Sequence, residues 1–258
     1  MKKLVFLREI LKDIVSRCEL GIIVFIVSSA ILITNSLEFY KNILGRRSGV
    51  WWSIFSSYFI HANWSHLCYN FICYVAVVVL LYLNICLCLE DKDILLVKIF
   101  LDNKWWLCFQ LILMIAVGSF DLTFNKIYSR VPGIGMSDFV LALYMILLYV
   151  VYLVMLQLSL HKTNKSKEKL AFIVSILTFL LATYILSAAS NFVLLKSGIN
   201  VGAHLIGIYV SFIVSVIVTL VDFYRIRRIN IKSSLVLLLL ALTMAIIFEF
   251  SRFSLLAS

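Results

Sequence analysis

The stretch HANWSHLCYN, residues 61–70, stands at the mouth of an apolar run that continues to about residue 89. A run of that length can cross a bilayer as a helix, so His61, His66 and Asn70 are polar groups in a costly place. Only four histidines exist in the chain. A third, His204, stands in GAHLIG at the start of another apolar run, and Ser137, in PGIGMSD, opens one more. Whether these stretches meet depends on how the chain is threaded through the membrane.

The 258 residues are 63% hydrophobic and 14% charged, with one proline and a mean hydropathy of +1.06. A soluble domain needs far more polar surface, so the expectation is an all-α, polytopic membrane helix bundle solvated mainly by lipid. The formal net charge of +10 does not indicate nucleic acid. Lys and Arg are concentrated between the apolar runs, with no basic-aromatic domain to hold a strand, and anionic headgroups and topology account for them better. Cys18, Cys68, Cys73, Cys86, Cys88 and Cys108 lack metal-finger spacing and fall mostly in apolar segments, so they read as unpaired thiols. The first 19 residues mix Lys2, Lys3, Arg8, Lys12 and Arg17 with Glu9, Asp13 and Glu19. No clear cleavage site follows, and the next run is expected to stay as an anchor.

Apolar windows lie near residues 20–37, 64–89, 105–120, 135–160, 169–190, 199–222 and 234–253, which predicts seven spans. The third is the shortest and is expected to use Trp105 and Trp106 as an interfacial start. Residues 38–60, rich in aromatics beside Arg46 and Arg47, read as an interfacial segment in the outer leaflet. With the amino terminus inside, the inner loops and tail hold sixteen Lys and Arg and the outer side seven. That excess predicts a cytoplasmic amino terminus and an external carboxyl terminus.

In this topology the second, fourth and sixth spans all start from the outer face, which brings His61, His66, Asn70, Ser137 and His204 to one depth. Five of the nine glycines, Gly133, Gly135, Gly198, Gly202 and Gly207, flank Ser137 or His204. Small residues let membrane helices approach closely, and His204, Gly207, Ser211 and Ser215 share one helical face. A narrow seam there would bring a serine hydroxyl to an imidazole. His66 and Asn70, four residues apart, differ by about 40° around a helix and can face one cleft. His61 lies off that face or just before the helix. Alone, each residue has an ordinary structural role: Ser137 bonding to backbone, His204 bonding between helices, His61 packing at the interface.

Taken together, these residues resemble the rhomboid family of intramembrane serine proteases. HANWSHLCYN fits the family's HxxxxHxxxN, Gly135 to Ser137 fits GxS, and Gly202 to His204 with Gly207 fits GAHxxG, in order over residues 50–220. The resemblance implies a six-helix core at 20–222, after a cytoplasmic segment at 1–19, with a connector and seventh span at 223–258. It implies Ser137 as nucleophile and His204 as general base, with no metal or cofactor. His66 and Asn70, with the Ser137 amide, would form the oxyanion hole, supported by His61, and Gly135, Gly202 and Gly207 would pack the helices near it. Substrates would be transmembrane segments of other proteins. The chain departs from the family pattern at Asp138, after the serine; at Ser53, which follows Trp52 where an arginine is usual; and at Leu141, where an aromatic is frequent, with Tyr144 three residues on.

Two other readings stay open on the residues. His61, His66, His204 and Asp138 could converge on a metal, although HExxH is missing and His61 and His66 would stand about 140° apart on one continuous helix. A proteolytically inactive protein that binds transmembrane clients would keep the same cleft.

Overall fold

The structure, a computed structural model, describes residues 2–34, 37–44, 50–89, 93–128, 136–160, 169–178, 180, 210–218 and 221. Among them the regular elements are all helical, with no strand. These are α1 (Lys2–Arg17), α2 (Glu19–Ile33), α3 (Leu37–Leu44), α4 (Ser53–Ser56), α5 (Trp64–Leu83), α6 (Leu95–Leu101), α7 (Asn103–Tyr128) and α8 (Ser137–Leu160), then α9 (Lys169–Thr178) and α10 (210–218). Among the described residues three helical segments are long and apolar enough to cross a membrane: Trp64–Cys86, Asn103–Phe120 and Ser137–Leu158. A fourth is added if α1 and α2 are counted as one bent span. Of the seven windows expected, those at 169–190 and 199–222 are represented by α9 and α10, and 234–253 lies outside the described residues.

Side-chain contacts fix the direction of each helix in the bundle. Gly21 meets Tyr74, and Phe25 packs on Phe71 with ring centroids 4.6 Å apart, so α2 and α5 run antiparallel. Trp106 Nε1 reaches Arg17 O, Gln110 bonds Tyr74, and Tyr58 Oη donates to Met114 O at 2.9 Å, so α7 also runs against α5. In contrast, α8 runs parallel to α5. Phe139 lies 6.2 Å from the rings of both Tyr58 and Tyr74 at one end, and Gln157 Nε2 donates to Cys88 O at 3.3 Å at the other. Helices α2, α5, α7 and α8 therefore alternate in direction along the chain.

Helix α8 is the centre of the bundle. Apart from Ser137, every residue from Met136 to Leu147 is buried, which a helix apolar all round requires. At its far end Asn84 begins a π-helical turn (Asn84–Cys88) that closes α5. Its Nδ2 donates to Leu80 O and to Thr178 Oγ1, both at 2.8 Å, and its Oδ1 accepts from Ser175 Oγ at 3.4 Å. A buried amide in an apolar run thus has its hydrogen bonds met across the α5–α9 contact.

Helices α1 and α2 meet at Cys18 in a 63° bend. The bend frees the Arg17 carbonyl, which accepts from Trp106 Nε1 at 3.0 Å, Tyr74 Oη at 3.3 Å and Gln110 Nε2 at 3.4 Å. The buried Arg17 guanidinium donates to Phe100 O and Leu101 O at 3.2 Å, carbonyls of the last turn of α6, where a cation is favoured. Trp106 is therefore a core residue, and only Trp105 is exposed. This corrects the expected interfacial pair. The helix is also longer than the window at 105–120, because Asp102 caps its first turn through bonds from Lys104 N and Trp105 N.

Candidate functional site

The start of α5 is set by Asn63. Its extended backbone (φ −165°, ψ 175°) turns the Oδ1 onto His66 N at 2.8 Å, the usual N-cap bond. Helix geometry then stacks His66 and Asn70 one turn apart. His66 Nδ1 accepts from Ala62 N at 3.5 Å. A neutral ring with Nδ1 as acceptor would carry its proton on Nε2 and present it as a donor. Asn70 is 7% exposed, and its Nδ2 has no hydrogen-bond partner among the described residues. In that tautomer two N–H donors stand one turn apart on one helix, the second buried and unpaired.

His61 precedes the helix, in the link after the 3₁₀ turn Ser57–Phe59. The separation of about 140° expected for a continuous helix therefore does not apply. The His61 ring packs edge-on to His66 with centroids 5.2 Å apart. It is fully buried, and neither ring nitrogen meets hydrogen-bond geometry. Burial, then the neighbouring His66, lowers its pKa from 6.5 to about 3, with the Phe59 backbone offsetting part of the shift. His61 is neutral at physiological pH.

Ser137 is the first residue of α8 and is half-buried. Val140 N–H pairs with Met136 O at 2.9 Å, and Phe139 N–H with Asp138 Oδ1 at 3.0 Å. Asp138 is 2% exposed and turned onto the start of its own helix, where the dipole favours an acid.

The parallel packing of α5 and α8 brings His61, His66, Asn70 and Ser137 to the same end of one helix pair. Phe139, two residues after Ser137, stacks on Tyr74, one turn beyond Asn70. Leu141 and Tyr144 are both buried within α8. Gly135, Gly202, Gly207 and His204 lie outside the described residues. On α10, Ser211 and Ser215 are both buried, while Ile213 and Ile217 are exposed, so the serine face of that helix turns inward. Sequence reasoning missed Asn63 and the Ala62 amide. The first was detectable as an Asn directly before an apolar run, a helix-start signal; the second is backbone and leaves no trace in residue type.

Among the described residues no three His, Cys, Asp or Glu form a metal-holding group. The six cysteines are free thiols. Searches of protein-family models, curated proteins and solved structures found no match to this chain.

Proposed function

We propose that the chain is an intramembrane serine endopeptidase of the rhomboid type, with six core helices and a seventh after them, that cleaves other proteins' transmembrane segments near their outer end. The amino terminus is cytoplasmic and the carboxyl terminus external, in the cell membrane. The carrying observation is the pair of N–H donors on α5, His66 Nε2 and the buried, unpaired Asn70 Nδ2, at the end of the bundle where Ser137 begins α8.

In this reading Ser137 Oγ attacks the scissile carbonyl while His204 takes its proton. The carbonyl oxygen becomes an oxyanion and is met by His66, Asn70 and the Ser137 amide, donors already held in place by their helices. Collapse breaks the C–N bond, and His204 passes its proton to the leaving amine. Water, deprotonated by His204, then releases the acyl group from Ser137. His61 supports the donors by keeping an uncharged ring against His66. A positive charge there would repel protonation of its neighbour and attract the oxyanion out of register.

Asp138 and the altered loop at Ser53 are the features that suit an inactive, client-binding protein; for Asp138 the structure offers another role. The Asp138 bond to Phe139 N supports a helix-start role instead. The test is labelling of the purified protein with a fluorophosphonate. Covalent labelling is expected at Ser137 and should disappear in Ser137→Ala and His204→Ala. Labelling that survives in Ser137→Ala would overturn the assignment, and absence of labelling in the unaltered protein would favour the client-binding reading.

A further inference from the structure

We infer that α1 is a surface helix of the membrane whose Arg8 and Lys12 hold the phosphate of an anionic phospholipid headgroup. The inference is independent of the proteolytic reading. Between residues 8 and 17 the helix carries Arg8, Glu9, Lys12, Asp13 and Arg17, too many charges for the hydrocarbon core. With α2 along the membrane normal, the 63° bend leaves α1 about 27° from the membrane plane. Arg17 fixes that angle through its bonds to Phe100 O and Leu101 O of α6.

The exposed side of α1 is divided by chemistry. Ile10 and Ile14 pack against the bundle core. Leu11 and Val15, one turn apart, are 54% and 57% exposed, an apolar stripe with no protein over it. Arg8 and Lys12, also one turn apart and exposed, fall on the adjacent flank, so all four lie within about 100° of the helix circumference. Of the two acids, Glu9 is exposed beside Lys12, and Asp13 lies about 100° or more from both cations around the helix. Asp13 faces the bundle, with Oδ1 4.0 Å from Arg17 Nη1 and Oδ2 accepting from Tyr82 Oη at 3.5 Å. Among the described residues neither Arg8 nor Lys12 has an ion-pair partner. An apolar stripe beside two unneutralised cations suits acyl chains below and a phosphodiester at the boundary. Arg8 supplies a fork of donors for phosphate oxygens and Lys12 a mobile point charge.

The full-length protein in detergent would be titrated with phosphatidylglycerol or with phosphatidylcholine, and bound lipids counted by native mass spectrometry. Phosphatidylglycerol should be retained in preference. Arg8→Gln and Lys12→Gln should each lower that preference about fivefold, as loss of one headgroup-facing charge does, while Arg8→Lys/Lys12→Arg keeps it. Glu9→Gln should preserve or raise the preference. Equal thermal midpoints would show that the variants are folded. A preference unchanged in Arg8→Gln/Lys12→Gln, or no preference in the unaltered protein, would overturn the inference.

Discussion

Asn70 holds a buried donor with no partner among the described residues, His61 is a fully buried ring, and each leaves a measurable trace. An unsatisfied buried donor costs about 1–3 kcal/mol, so Asn70→Ala should leave the thermal midpoint in detergent unchanged or raised. The same substitution should slow cleavage by about 10²–10³, the usual effect of losing one oxyanion donor. A parallel loss of stability and activity would mark Asn70 as structural. His61 gives a pH signature. Its folded-state pKa is about 3, against 6.5 for an unburied histidine, so between those values the unfolded chain binds a proton that the folded chain does not. Its contribution is complete above about pH 6.5 and falls with pH toward 3, by up to about 1.4 kcal/mol per pH unit. Thermal midpoints measured from pH 7 to 4 should drop less steeply in His61→Gln. Residue type alone flagged His61, His66 and Asn70, since each is rare in an apolar run. Their hydrogen bonds were not legible, because Asn63 and the Ala62 amide set them through backbone geometry.

Among the elements, the contact of α2 with α5 depends on close packing. A Cβ on Gly21 would run into the Tyr74 ring. That ring cannot swing away while its hydroxyl bonds Gln110 and its face lies on Phe139. Gly21→Ala should therefore destabilise the protein by about 1–3 kcal/mol. Adding Tyr74→Leu should relieve the clash, so the double variant will be less damaged than the sum of the single ones. Thermal unfolding of all three variants checks this; strict additivity would mean that the two residues do not share a contact. Gly118 has a similar place on α7, where a Cβ would stand 2.6 Å from Ile54 O. The windows of α2, α5 and α8 were legible from hydropathy, since lipid demands apolar length. The bend between α1 and α2 was not, because Arg17 reads as one more topogenic cation until its carbonyl is seen to accept three donors. Trp106 misled for a related reason: an indole fits an interface as well as it fits a core where its N–H finds a carbonyl.

For the whole molecule, the parallel α5–α8 pair is the feature on which the site depends. It follows from one contact at each end, Tyr58 with Phe139 and Cys88 with Gln157. In a protein whose other cysteines are replaced, Gln157→Cys should cross-link to Cys88 through a short bis-methanethiosulfonate reagent, each thiol displacing one sulfinate, and a cysteine at Asp138 should not; the reverse pattern would break the parallel arrangement. Alternation of spans could be read from hydropathy, because each apolar run long enough to cross brings the chain out on the opposite side. The central position of α8 could not, since an apolar helix looks alike to lipid and to protein. The central claim is that Ser137 performs peptide hydrolysis within the membrane. Its most direct test is to incubate the purified full-length protein in phospholipid vesicles with a panel of transmembrane reporters, beside the Ser137→Ala form. The account predicts cleavage near the outer end of at least one reporter by the unaltered protein and none by Ser137→Ala; equal cleavage by both, or none by either, would contradict it.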